Sequence, residues 1–322
     1  MRWLLFLALL IPITVQPASS QPAGKIYRIG ILTAGFVPDR AVGLHRKIVD
    51  FGRMLGFEEG RNLEIHWRGA EGEQSRLDGL ARELIATNPD LIISISDMAT
   101  LAIKNVTDRV PVVMVAGDPV ATGLVPNLAR PGGNITGIVV YGGEADSKRL
   151  EILAELQNAK RLAYLVDATV SAASIERVQQ AAAKLNVEIL LVRALKPADY
   201  DSAFRTMQEA SVAGLLLSPS LNFLEQANDL AARAAKANLP TICHWREMTQ
   251  AGCLMSFGTS LEWVFDRVGD ACTRILLYGS KPSEMAIEQA SKFDLVINTK
   301  TAQALGVTIP AALAARASEV ID

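Results

Sequence analysis

A chain of 322 residues, half of them hydrophobic and a fifth charged, is long enough for two domains with sizeable cores. Its formal net charge of −2, with acids and bases interspersed, supplies no basic face for nucleic acid or anionic membrane. A small molecule or a protein is therefore the expected partner, and nucleic acid is not.

The chain opens with "MRWLLFLALLIPITVQPASSQPAG". One Arg, an apolar run from Trp3 to about Val15 and the small residues Ala18-Ser19-Ser20 read as a secretory signal peptide over residues 1–20. Cleavage is expected near Ser20, with an uncleaved anchor as the alternative. No Cys follows the apolar run, so no lipid anchor is expected, and the mature protein should be exported to the periplasm.

Strands and helices then alternate. "YRIGILTAG" reads as a buried parallel strand, residues 39–56 as a helix ended by Gly56, and "NLEIHWRGA" as an alternating strand. A helix over 73–87, the strand "DLIISIS", the helix "ATLAIKNV" and the strand "VPVVMVAG" follow. Next comes "GDPVATGLVPNLARPGGNITGI", residues 117–138, whose glycines and prolines suffice for several turns; "ATGLVPNLA" within it is expected as a short helix. A second series begins near residue 143. It has a helix over 146–157, the strand "RLAYLVD", a helix over 171–185 and the strand "VEILLVRA". A helix over 199–210, the strand "AGLLLSPS", a helix over 222–237 and the strand "LPTICH" come next. "GCLMSFG", a helix over 261–277, the strand "KFDLVIN" and a helix over 299–305 complete it. Two runs of βα units imply two α/β lobes with parallel sheets covered by helices.

Ligands of open parallel sheets sit beyond the carboxyl ends of the strands. In the first lobe those ends are Thr33, Ala34, Gly35 and Phe36, then Ser96, Asp97 and Met98, then Gly117, Asp118 and Pro119. In the second they include Asp167, Ser218, Trp245 and Arg246. Tyr141 and Phe257 stand near expected cleft edges, where with Phe36 and Trp245 they would sandwich a flat ligand. Gly142-Gly143 suits a hinge. Asp residues at strand ends also cap the following helix, which is the structural alternative for Asp97, Asp118 and Asp167.

No GxSxG elbow, GxGxxG, GxxxxGK[ST] or HExxH occurs, so binding without catalysis is expected. Three scattered histidines and the absence of CxxC give no metal-ligand spacing, and neither a metal nor a cofactor is expected. Of Cys243, Cys253 and Cys272, the first two flank one loop; they either pair or stand as small buried hydrophobes.

Five stretches together resemble the exported substrate-binding proteins of ABC transporters, the family that includes tryptophan/tyrosine transporter binding proteins. They are "YRIGILTAG", "MLGFEEGRNLEIHWRGAEGEQSRLDGLARELI", "GDPVATGLVPNLARPGGNITGI", "LPTICHWREMTQAGCLMSFG" and "KFDLVINTKTAQALGVTIPAALAARASEVI". The resemblance implies a type I periplasmic-binding fold: two doubly wound parallel-sheet lobes joined by a three-strand hinge. The first lobe would comprise residues 21–141 with about 254–284, and the second 142–253 with about 285–322. It implies a monomer that captures a small organic ligand, an amino acid or related compound with an aromatic or branched body favoured, for an ABC permease and its ATPase. A ligand-sensing protein that docks on a membrane receptor, and an exported hydrolase using Asp118 or Asp167, are the alternatives. The sequence departs from the family at Asp97, which puts negative charge where the helix start is expected to hold a ligand carboxylate; Asp97 either receives an amino group or caps its own helix. Cys253 stands where the family usually has Gly.

Overall fold

The computed structural model describes residues 24–37, 43–140, 143–157 and 159–322. The expected signal peptide, Tyr141 and Gly142 lie outside the described residues. In chain order the first elements are β1 (Tyr27–Thr33), α1 (Gly43–Met54), β2 (Leu63–Gly69), α2 (Leu77–Ala86), β3 (Leu91–Ile95), α3 (Asp97–Val106), β4 (Val112–Ala116) and β5 (Ile135–Val139). Then come α4 (Gly143–Gln157), β6 (Arg161–Val166), α5 (Ala172–Lys184), β7 (Glu188–Arg193), α6 (Tyr200–Glu209), β8 (Leu215–Leu217), α7 (Leu221–Glu225), α8 (Ala227–Lys236) and β9 (Thr241–Cys243). The last are α9 (Arg246–Gln250), β10 (Met255–Gly258), α10 (Leu261–Leu276), β11 (Glu288–Gln289), β12 (Asp294–Asn298), α11 (Thr299–Ala304), α12 (Ala311–Ala314) and β13 (Glu319–Ile321).

Two sheets result. The first runs β11-β5-β4-β3-β1-β2, all parallel, and the second β13-β12-β10-β9-β8-β6-β7, parallel except for the antiparallel pair β10–β12. Burial explains the sequence patterns. β4 and β5 are central, buried at every residue and continuously apolar. β2 is an edge strand, and only its alternate residues Leu63, Ile65, Trp67 and Gly69 are buried. In β5 the backbone of Gly137 takes φ +140°, and a Cβ there would stand 2.1 Å from the Met114 carbonyl oxygen, so only glycine fits.

The crossings differ from the expected boundaries. β10 pairs with β9 and β12, so the second crossing lies at Thr259–Ser260 and not near Cys253. β11 pairs with β5, so the third follows Gln289 and not residue 284. Neither a four-residue strand such as β10 nor the two polar, exposed residues of β11 announce which sheet they join. Gly258 lets β10 approach β9: a Cβ there would lie 2.2 Å from the His244 carbonyl oxygen. Gly143 opens α4.

Two local expectations are also corrected. "ATGLVPNLA" is a series of turns, with Thr122 N–H donating to Asp118 O and Leu124 N–H to Pro119 O; Gly123 at φ +70° ends the coil before a helix can form. The single helix expected over 222–237 breaks at Gln226 into α7 and α8.

Cys243 and Cys253 form a disulfide, closing a loop around α9. Such a loop of about ten residues stabilises the folded chain by about 2–3 kcal/mol. Cys243→Ser with Cys253→Ser is therefore expected to lower the unfolding free energy by about that amount, read from guanidinium titrations; an unchanged midpoint would refute the assignment. Cys272 is a free cysteine buried in the first lobe, its thiol pushed up to about 12 by burial.

Candidate functional site

Strand order locates the cleft. In the first sheet the chain leaves β1 toward β2 on one side and toward β3 on the other; in the second it leaves β6 toward β7 and β8. These switch points open crevices at the strands' carboxyl ends. The two crevices face each other. One cavity of about 260 Å³ lies between Thr33, Phe36 and Trp67 on one lobe and Asp167, Lys196, Tyr200, Asn222 and Phe223 on the other. A second of about 40 Å³ shares Thr33, Ile95, Leu221 and Asn222 with it and adds Ser96, Asp97, Gly117, Thr169, Ser171 and Ser174.

Asp167 organises the second-lobe wall. It is 1% exposed. Its Oδ1 accepts from Thr169 N–H (2.9 Å) and Thr169 Oγ1–H (2.6 Å). Its Oδ2 accepts from Ser220 Oγ–H (2.5 Å) and Asn222 Nδ2–H (2.7 Å). Ser220 also caps α7, accepting from the N–H groups of Asn222 and Phe223. The Asn222 amide, so oriented, accepts from Phe36 N–H of the facing lobe at 3.1 Å. A Cβ at Gly35 would stand 2.3 Å from Asn222 Oδ1 and push that amide from its place.

Asp97 organises the first-lobe wall. Ser96, at φ 103°, caps α3 by accepting from Ala99 N–H, which leaves Asp97 in the helix's first turn. The Asp97 carboxylate accepts from Gly117 N–H and Asp118 N–H, each at 3.2 Å. It therefore ties α3 to the end of β4 and does not cap its own helix. Burial pushes its carboxyl above the ordinary value, against the lowering effect of the two backbone N–H groups.

Two further contacts cross between the lobes. Gln74 Nε2–H donates to Ala168 O at 2.8 Å, and Arg177 Nη1 pairs with Asp118 Oδ2 at 2.9 Å. Asp118 Oδ1 accepts from Ala121 N–H, so this one side chain both holds the Gly/Pro-rich turn and reaches α5.

The other sequence candidates have diverse places. Ala34 is in the first-lobe core and Met98 packs against it. Pro119 is buried within the turn. Ser218 is buried and is on neither cavity wall. Trp245 belongs to the second-lobe core, edge-on to His244 and against a separate apolar cavity of about 90 Å³. Arg246 forms a two-pronged ion pair with Glu319 at 2.5 and 2.6 Å. The expectation for these last two is revised: β9 ends at Cys243, and Trp245 at the N-cap of α9 and Arg246 at its first position line neither cavity. Phe257 stacks on Phe293 and lines an open groove with Asp118 and Arg177.

Trp67, Tyr200, Asn222, Phe223 and Arg177 are wall or bridging residues absent from the sequence candidates. Asn222 had a visible signal, the cap of "SPSLNF". Tyr200 had none, because it follows a 3₁₀ turn beyond β7 that folds over the cavity.

Beneath the second lobe's cleft lies a buried charged cluster. Arg149 of α4 pairs with Asp146 and donates to His244 Nδ1 (2.6 Å) and Phe257 O (3.0 Å). Burial, and then the guanidinium, hold His244 well below its ordinary pKa, so it is neutral with Nδ1 accepting. The unfolded chain, by contrast, takes up this proton near pH 6.5. Stability is therefore expected to fall as pH drops through that value, with His244 contributing at most about 1.4 kcal/mol per pH unit. Asp146, raised by burial, acts in the opposite sense, since the folded state takes up its proton more readily. Comparing denaturant midpoints of the wild type and His244→Gln between pH 7.5 and 5 isolates the histidine; equal slopes would refute it.

Residues 47–321 match the family model described as ABC transporter substrate binding protein, and the chain belongs to that family. Over 255 residues it is 24% identical to the tyrosine-binding protein of Clostridioides difficile strain R20291, covering 78% of this chain and 72% of that one. The crystal structure of a conserved domain protein from Vibrio cholerae O1 biovar El Tor is 26% identical, with TM-score 0.78 over 92% of this chain and 100% of that one. An ABC domain from Streptococcus pneumoniae, solved in complex with L-Trp, is 23% identical with TM-score 0.76 over 92% of this chain and 100% of that one. The fold is that of type I periplasmic binding proteins.

Proposed function

We propose that this chain is the exported receptor of an ABC transporter. It holds a small organic ligand between its lobes, unaltered, and delivers it to a membrane permease with its ATPase. The observation that carries the reading is the pair of joined cavities at the switch points of both sheets, walled by each lobe and bridged by Asn222–Phe36, Gln74–Ala168 and Arg177–Asp118. Four aromatic rings, Phe36, Trp67, Tyr200 and Phe223, line the larger cavity and suit an amino acid or related compound with an aromatic or branched body. The buried disulfide fits an oxidising compartment, in keeping with signal-peptide removal near Ser20 and a periplasmic monomer. Mass spectrometry of ligand released from the denatured protein, with thermal shifts across amino acids, amines and carboxylates, tests the reading. Failure of both to yield a ligand would overturn it.

The Arg177–Asp118 pair acts as a latch in this reading. Both side chains are partly exposed, so the pair is worth at most about 1 kcal/mol. Arg177→Ala is expected to enlarge the ligand-free protein's radius of gyration in small-angle scattering and to weaken ligand binding about three- to fivefold. The swap Asp118→Arg with Arg177→Asp should restore both; an unchanged radius in the single variant would sink the latch.

A further inference from the structure

Among the described residues, the charges on the cavity walls are unbalanced. Asp97 is 8% exposed and Asp167 1%, while Lys196 and Glu225, the other charged wall residues, are exposed at the rim. Among the described residues, the two charged wall residues that are buried are thus both carboxylates. Asp167 already accepts four hydrogen bonds, the full complement of a carboxylate. Asp97, which lines the 40 Å³ cavity, accepts two, from Gly117 N–H and Asp118 N–H, and so keeps acceptor capacity. The cation facing this end, Arg177, is bonded to Asp118 Oδ2 and Ser174 Oγ.

The same contacts close the place to an incoming anion. The N–H groups of Gly117 and Asp118 at the end of β4 would seat a ligand carboxylate, but the protein's own Asp97 carboxylate occupies them, and Ser96 Oγ takes the α3 N–H of Ala99. A ligand carboxylate there would add a third anion in a desolvated space, whereas an ammonium would offset the charge present.

We infer that the cleft selects an amine over the corresponding amino acid: a ligand with an ammonium group seated on Asp97, an apolar or aromatic body against Phe36, Trp67, Tyr200 and Phe223, and no carboxylate. This rests on the receptor reading above and narrows its ligand class. The cavity in contact with the ammonium is the small one, and the body occupies the larger one.

The test uses the whole mature protein and matched triplets in calorimetric titration. Each triplet is an amino acid, its decarboxylated amine and its deaminated acid: tyrosine, tyramine and 3-(4-hydroxyphenyl)propionate, and likewise the tryptophan, phenylalanine and leucine series. The expected result is that at least one amine binds about tenfold or more tightly than its amino acid, and that its acid does not bind. Asp97→Asn should reduce that preference about tenfold. An amino acid or acid binding as tightly as its amine overturns the inference and leaves the receptor reading standing. So does a co-purified ligand that lacks a cationic nitrogen or that carries a carboxylate. No binding by any triplet together with no co-purified ligand overturns both. The wild-type comparison decides the question even if the Asp97 variant does not fold.

Discussion

Arg149→Ala is expected to lower the unfolding free energy by about 3–5 kcal/mol, because it strands a carboxylate in the protein interior. Arg149 is 0% exposed and Asp146 3%, and the guanidinium is the cation paired with that carboxylate. The same guanidinium donates to the ring of His244, just past β9, and to the carbonyl of Phe257 in β10. It thereby fastens α4, which begins just after the first crossing, to the strand that ends just before the second. Guanidinium titration of Arg149→Ala measures the cost. Arg149→Met combined with Asp146→Leu should recover most of it, since an apolar pair of similar volume removes both desolvated charges. A single-variant cost below about 1 kcal/mol would show that the cluster does not couple these elements.

Asp167→Ala is expected to cost about 3 kcal/mol of stability and at least about a hundredfold in ligand affinity. The variant orphans the donors of Thr169, Ser220 and Asn222 around a buried gap. Asn222 then loses the orientation that meets Phe36 N–H across the cleft. Asp167→Asn keeps one acceptor oxygen and should fall between the two. The readouts are denaturant midpoints and titration with the ligand recovered from the wild-type protein. Wild-type affinity in a folded Asp167→Ala variant would remove Asp167 from the site.

Much of the fold was legible because its signals are local. "VVMVA" and "ITGIV" are continuously apolar, and they are strands buried on both faces. "LEIHWRG" alternates, and it is an edge strand. The positions Thr33, Ser96, Asp97, Gly117 and Asp167 follow from the rule that strand ends face the crevice, and all five line the two cavities. The same rule brought in Trp245, which sits in the core at the N-cap of α9, and Arg246, whose place at the start of α9 pairs it with Glu319. A five-residue helix with no apolar period left no trace in the sequence.

Hydrophobic periodicity and turn chemistry, which act between residues a few positions apart, suffice for the two series of βα units and for most strand ends, and the chain alone carries them. Which sheet receives β10 and β11, where the chain crosses, and which side chains meet across the cleft are matters of tertiary packing. They depend on contacts such as Asp167 with Asn222, Asn222 with Phe36 and Arg177 with Asp118, between residues 55, 186 and 59 positions apart. No local pattern encodes such pairs, because each partner's direction is set only once both lobes have packed.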